Sequence, residues 1–87
     1  MRLDKFLKVS RVIKRRTVAS EACGAGRVLV NGKVAKSSTQ VKPQDEIEIQ
    51  FGTKKVKIEV LRLEDTTKKE EAKELYRYIQ GENILDE

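Results

Sequence analysis

The first sixteen residues of the chain hold seven cations, Arg2, Lys5, Lys8, Arg11, Lys14, Arg15 and Arg16, against a single acid, Asp4, for a local charge of +6. Side chains of this kind bind anions. At such density they can neutralise several phosphates of a polyanion and release its condensed counterions. Arginine adds a bidentate grip on phosphate and a planar face for stacking on bases. The local charge then falls to +2 over residues 17–64 and to −3 over residues 65–87, so the polyanion-facing end is expected to be the N-terminal one. A charged run is often only a solvated face, but here the cations crowd around two short predicted helices instead of alternating with acids. All seven are therefore candidate binding residues.

Catalytic chemistry finds little support. The chain has no histidine and one cysteine, Cys23. That excludes zinc sites of the usual Cys/His type, histidine acid–base catalysis and every Ser-His or Cys-His nucleophile. An intrachain disulfide is excluded too. Asp4 has no second carboxylate near it in sequence, so it reads as a partner for Lys8 or a nearby arginine. Nothing basic lies in the helical register of Cys23 to activate it, and it reads as a small packed residue. Gly24-Ala25-Gly26-Arg27 is too short and wrongly placed for a phosphate-binding glycine loop. Tyr76 and Tyr78 lie in an acidic neighbourhood and read as packing or surface residues. A non-enzyme without metal or cofactor is expected.

Whole-chain properties set the frame for these residues. Of 87 residues 38% are hydrophobic and none is Trp, which leaves a small core and little material for a deep substrate cavity. The sequence pI of about 9.5 suits a polyanion partner. Residues 1–13 are interrupted by Arg2, Asp4, Lys5, Lys8 and Arg11 and lack the apolar run of a signal peptide. No stretch approaches the roughly 20 apolar residues of a membrane span. A cytoplasmic protein with no membrane partner is the expectation.

The elements that must position the cations can be read from spacing. Leu3, Phe6 and Leu7 make one apolar stripe of a short helix that breaks near Ser10. Thr17 reads as the N-cap of a second helix through roughly Val18 to Ala25, in which Val18, Ala19, Ala22 and Cys23 are small or apolar. A left-handed Gly26 would end it. The period then changes to that of strands. Asn31-Gly32 between Arg27-Val28-Leu29-Val30 and Lys33-Val34-Ala35 is a hairpin signal, since both turn residues must take positive φ. Residues 37–40 are polar and loop-like, and Val41-Lys42-Pro43-Gln44-Asp45 is a turn. Ile47, Ile49 and Phe51 alternate with polar residues, Gly52-Thr53 can reverse the chain, and Val56, Ile58 and Val60 form a matching antiparallel strand. Beyond Asp65, Thr67 and Glu70 have capping-box spacing. A helix from about Lys68 to Gln80 would show Ala72, Leu75, Tyr76 and Ile79 on one side, stopped by Gly81, with a frayed tail over Glu82 to Glu87. The fold class is thus α+β: two short N-terminal helices packed on a small, mostly antiparallel sheet, plus a C-terminal helix. Residues 1–64 form the domain and 65–87 the C-terminal helix and tail.

A helix–turn–helix DNA binder would display base-reading side chains on its second helix. Val18, Ala19, Ser20, Glu21, Ala22 and Cys23 offer almost none. The cations lie before that helix and on the first one, which suits backbone and shape recognition of structured RNA.

Arg2-Leu3-Asp4-Lys5-Phe6-Leu7, the run from Arg11 to Thr17, Gly26-Arg27-Val28-Leu29-Val30-Asn31-Gly32 and Val41-Lys42-Pro43-Gln44-Asp45-Glu46-Ile47 together resemble the S-four RNA-binding domain, named for protein four of the small ribosomal subunit. The resemblance covers about residues 1–60. That family commonly has Gly after the Pro; Gln44 stands there, where a type II turn requires positive φ. The domain also occurs attached to tRNA synthetases, pseudouridine synthases and RNA methyltransferases. A free-standing form of this length resembles the bacterial ribosome-associated quality-control P-site factors and the related ribosome-associated heat-shock proteins of the 15-kilodalton class. What the resemblance implies is binding to large-subunit rRNA and to peptidyl-tRNA in the P site after a stalled ribosome has split. It also implies work alongside RqcH in C-terminal alanine tailing, by a protein that is a monomer off the ribosome. A general heat-shock ribosome recycling factor and an accessory RNA-binding subunit of an RNA-modifying enzyme are the alternative readings, with a DNA-binding regulator behind both.

Overall fold

The computed structural model describes residues 1–65 and 68–80. Thr67 with its capping box, Gly81 and the tail over residues 82–87 lie outside the described residues.

Helix α1 (Leu3–Val9) turns Leu3, Phe6 and Leu7 inward, all fully buried, as their spacing requires. It ends at Ser10, whose amide and hydroxyl both return to the last turn, at Phe6 and Leu7. Helix α2 (Arg16–Gly24) begins one residue before Thr17, so Thr17 is not the N-cap. Arg15 holds that position without a side-chain cap. Its far end is as expected: Gly26 has φ 75°, its N–H reaches the Cys23 carbonyl, and the Arg27 N–H reaches the Ala22 carbonyl. These two bonds are the Schellman closure that a left-handed residue at this place allows. Ala19, Ala22 and Cys23 are buried, and their small side chains let α2 lie close against its neighbours.

Five strands follow among the described residues: β1 (Val28–Val30), β2 (Lys33–Val34), β3 (Glu46–Phe51), β4 (Lys54–Val60) and β5 (Tyr76–Gln80). They form one sheet in the order β2-β1-β3-β4-β5, antiparallel at every pair. Asn31 (φ 52°) and Gly32 (φ 86°) make the I′-type turn between β1 and β2, and Gly52 (φ 62°) opens the two-residue turn between β3 and β4. Val28, Ile47, Ile49, Val56, Ile58 and Val60 point to the face that the helices cover. Phe51, expected to continue the buried alternation, is 37% exposed at the hairpin end of β3.

The opposite face of the sheet is charged and self-neutralised. Glu46 and Glu59 stand directly across from one another, which would repel, but Lys57 lies 3.2 Å from Glu46 and Arg77 lies 2.6 Å from Glu59. Lys55 reaches Glu48 at 3.8 Å.

The segment expected to be a C-terminal helix is instead a 3-10 helix (Lys69–Glu74) followed by strand β5. Tyr76, Arg77, Tyr78 and Ile79 are β-formers, and β4 would otherwise end the sheet with an unpaired edge beside a fully buried face. Pairing Tyr76 with Val60 and Tyr78 with Ile58 closes that edge. Ala72, Leu75 and Tyr76 are buried by this arrangement, while Ile79 is 42% exposed. Tyr76 packs edge-on against Tyr78, centroids 5.3 Å apart.

Among the described residues three that are not glycine have left-handed backbone: Arg11 (φ 64°), Asn31 and Gln44 (φ 79°). Such a conformation costs an L-residue roughly 1–2 kcal/mol. Asn31 recovers it: its side chain donates to Asp45 Oδ1 at 3.1 Å and accepts the Glu46 N–H at 3.0 Å. Gln44 follows Pro43 in a turn closed by the Asp45 N–H on the Lys42 carbonyl, so the type II geometry is kept without its usual glycine.

Because Leu75 is fully buried in the core, Leu75→Ala is expected to cost about 2–4 kcal/mol in urea unfolding. A loss below about 1 kcal/mol would mean that residues 69–80 add nothing essential to the core.

Candidate nucleic-acid interface

Helix α1 has no side-chain cap at Arg2, so its first amides need partners from elsewhere. Residues 37–40 supply them. The Leu3 N–H donates to the Thr39 carbonyl at 2.8 Å, the Asp4 N–H donates to the Ser37 carbonyl at 3.1 Å, and Arg2 bridges to Gln40. Thr39 is itself held in a turn on Lys36, its N–H donating to the Lys36 carbonyl at 3.0 Å and its hydroxyl accepting the Lys36 N–H at 2.9 Å. The start of α1 is thereby fixed on the body of the domain, and Arg2 and Asp4 with it.

Asp4 is 3% exposed and gathers the surrounding cations. Arg2 Nε and Nη2 donate to Oδ1 and Oδ2 at 3.2 and 3.3 Å. From α2, Arg16 Nη2 reaches Oδ1 and Nε reaches Oδ2, each at 3.4 Å. The Lys5 backbone N–H, from a third residue, donates to Oδ1 at 2.8 Å. Burial pushes this carboxyl up, but the hydrogen bonds from Arg2 and Arg16, the Arg16 charge and the Lys5 amide outweigh it and hold Asp4 below the usual carboxylate range. The result is two guanidiniums side by side on one buried anion, each side chain about half exposed at 48%. Two positive charges share one negative one, so the pair keeps a net positive charge and outward-facing N–H groups suited to phosphate.

The remaining candidates divide. Lys5 is turned toward Asp65, 3.3 Å away, so part of its charge is met within the chain. Lys8 is exposed in the last turn of α1. Arg11 and Lys14 are exposed in the connection between the helices, and Arg15 is exposed at the N-cap of α2. The first turn of α2 contains no acid. Two arginines at the positive end of a helix are unfavourable for the isolated chain and favourable once an anion arrives. This cationic surface contrasts with the balanced outer face of the sheet. Of the two partners the sequence offers Asp4, Lys8 or a nearby arginine, the arginines are the ones that meet it; the pairing of Arg2 with Arg16 through it joins residues fourteen apart, one at the N-cap of α1 and one in α2, and no local spacing signals that. Residues 36–40 as the brace of α1 were also missed, for the same reason.

Cys23 is buried, and burial, with the Asp4 charge, pushes its thiol up, which suits a packed neutral residue.

Asp4→Asn is expected to destabilise the fold by about 1–3 kcal/mol, the scale of lost buried bonds to charged groups. The pH signature has a definite sign. The Asp4 carboxyl is lowered in the fold, so its contribution is full above the ordinary carboxylate pKa of about 3.9 and is lost as pH falls through the lower folded value. Melting from pH 7 down to about pH 2 should show an acid loss in the parent chain that is smaller in Asp4→Asn. Parallel curves would show that Asp4 is not the linked group.

Comparison with known proteins places this geometry. The model of the S4 domain matches residues 1–47. The chain is 55% identical over 84 residues to a Bacillus subtilis protein named RQC P-site tRNA stabilizing factor, covering 97% of this chain and 98% of the relative. It is 57% identical over 79 residues to a protein of the same name from Streptococcus pneumoniae, covering 91% and 90%. Among solved structures, the trimeric Heat Shock Protein 15 of Vibrio cholerae superposes with a TM-score of 0.82 at 33% identity, covering 90% of this chain and 80% of that one. Two helices against an antiparallel sheet, with the motif residues of the N-terminal half in place, make this chain a member of the S4 domain family.

Proposed function

We propose that the chain is a non-catalytic, cytoplasmic RNA-binding factor of translation rescue. It binds the large ribosomal subunit that retains peptidyl-tRNA after stalling and splitting, holds that tRNA in the P site, and supports alanine tailing of the stalled peptide together with RqcH. The observation that carries this reading is near-full-length identity of 55% to a protein named for stabilising P-site tRNA. The site fits it: the Arg2–Arg16 pair, flanked by Lys8, Arg11, Lys14 and Arg15, forms a phosphate-seeking surface, with large-subunit rRNA and tRNA backbone as its targets. Lys5 contributes where Asp65 gives way. A second reading, a general heat-shock ribosome recycling factor, draws on the likeness to Heat Shock Protein 15. Sedimentation separates the two: a rescue factor travels with large subunits carrying peptidyl-tRNA, a general recycler with large subunits regardless of tRNA.

The double variant Arg15→Ala/Arg16→Ala is expected to lose co-sedimentation with large subunits while remaining folded by circular dichroism. Unaltered co-sedimentation would sink the assignment. If about five cations each neutralise one phosphate, log affinity for structured RNA should fall against log salt with a slope of roughly −4. A slope near zero would reduce the surface to a solvated face.

Asp4→Asn offers a sharper contrast. It raises the net charge from the parent's +5 by one unit, and a model of bulk charge alone has it bind RNA more tightly. With the two arginines no longer held together, it should bind less tightly. Equal or tighter binding at matched salt would show that charge count, not the geometry of the pair, governs affinity.

A further inference from the structure

We infer that Arg11 is a separate phosphate-contacting residue, kept at a left-handed helix terminus at the expense of fold stability. The inference rests on the RNA-binding reading above and adds to it a contact distinct from the Arg2–Arg16 pair.

Three observations support it. The backbone of Arg11 has φ 64°, at the position immediately after the C-cap of α1, where glycine or asparagine is the unstrained choice. The left-handed backbone itself serves the fold, since the Arg11 N–H closes α1 on the Lys8 carbonyl at 3.0 Å, but the arginine side chain does nothing to offset its strain: unlike Asn31, whose side chain fastens a hairpin to β3, the Arg11 guanidinium has no hydrogen-bond or ion-pair partner among the described residues. The residue is exposed and contributes nothing to the core. A cation near the negative end of a helix gains from the helix dipole, but Lys8 in the last turn already supplies one. Folding alone therefore gives no reason for an arginine here. Placement does. Arg11 follows α1 at the end opposite Arg2, and a seven-residue helix is about 10 Å long, so its guanidinium serves a different phosphate from the one the pair on Asp4 would hold. Sparsely populated backbone conformations persist where a function requires the side chain they present.

The test uses the full chain, a labelled deacylated tRNA as probe and thermal melting. The variants are Arg11→Gly, Arg11→Lys, Arg16→Ala and, as a strain-relief control at a turn outside the cationic surface, Gln44→Gly. Arg11→Gly should melt at the same temperature as the parent or higher, yet bind tRNA roughly five- to tenfold more weakly, with the salt slope shallower by about 0.7–0.9. Arg11→Lys should keep the parent's slope. Gln44→Gly should melt higher with tRNA affinity unchanged. The combined Arg11→Gly/Arg16→Ala loss should equal the product of the single fold-losses, as expected for contacts that do not share a partner. A lower melting temperature for Arg11→Gly would overturn the inference by giving Arg11 a structural role. Parent-like affinity and slope in Arg11→Gly, with Arg16→Ala weakened, would overturn it while leaving the RNA-binding reading intact. Parent-like affinity in both would overturn the RNA-binding reading itself.

Discussion

The arrangement of the cationic surface depends on one buried carboxylate. Without Asp4, Arg2 and Arg16 are long, flexible, like-charged side chains on separate helices, with every electrostatic reason to point apart. With it, each loses rotamer freedom in advance and the two present a joint surface whose charge is not cancelled. The carboxylate can stay ionised only because the fold delivers its donors: Arg16 because α2 packs on α1, and the Lys5 amide because α1 is helical at that point. Affinity for an anion, on this view, is set while the protein folds rather than when the anion arrives.

Asp45, the other buried carboxylate among the described residues, shows what a purely structural acid looks like in the same chain. It accepts from the Asn31 amide and the Lys42 backbone N–H, and around it the Gln44 N–H donates to the Val60 carbonyl while the Val60 N–H donates to the carbonyl of Asp45 itself. Apart from Lys42, its partners are neutral groups that tie a turn to a hairpin. Asp4 differs in having arginines that are half exposed. Burial alone does not separate a structural acid from a positioning one; the number and kind of the cations it holds do.

Much of this was legible in local pattern. Leu3, Phe6 and Leu7 have helical spacing, Asn31-Gly32 forces one turn type, and Ile47 and Ile49 against Val56 and Ile58 dictate a register. Those signals work because each is satisfied within a few residues or between adjacent strands. The C-terminal segment misled for a physical reason. Ala72, Leu75, Tyr76 and Ile79 satisfy a helical period, yet a 3-10 turn buries 72 and 75 at spacing three, and a strand buries 76 and turns 78 inward at spacing two. Only Ile79, exposed in the fold, distinguishes the two, and the β-forming run Tyr-Arg-Tyr-Ile was the better guide. Thr17 misled similarly: a good capping residue lost its position because the helix starts at the arginine that Asp4 engages. Contacts between distant residues, such as Asp4 with Ser37 and Arg16, were beyond any local pattern.

The bracing of α1 by residues 37–40 has a consequence for synthesis. Chains emerge N-terminal end first. The most cationic stretch therefore leaves the exit tunnel while Ser37 and Thr39, which satisfy its first amides, are still inside it, and well before Leu75 and β5 complete the core. For that interval its arginines are tethered by nothing but the chain, beside the densest RNA surface in the cell. Non-local closure makes the finished binding face a late product of translation, and a nascent copy cannot present the paired arginines until almost its whole length has been made.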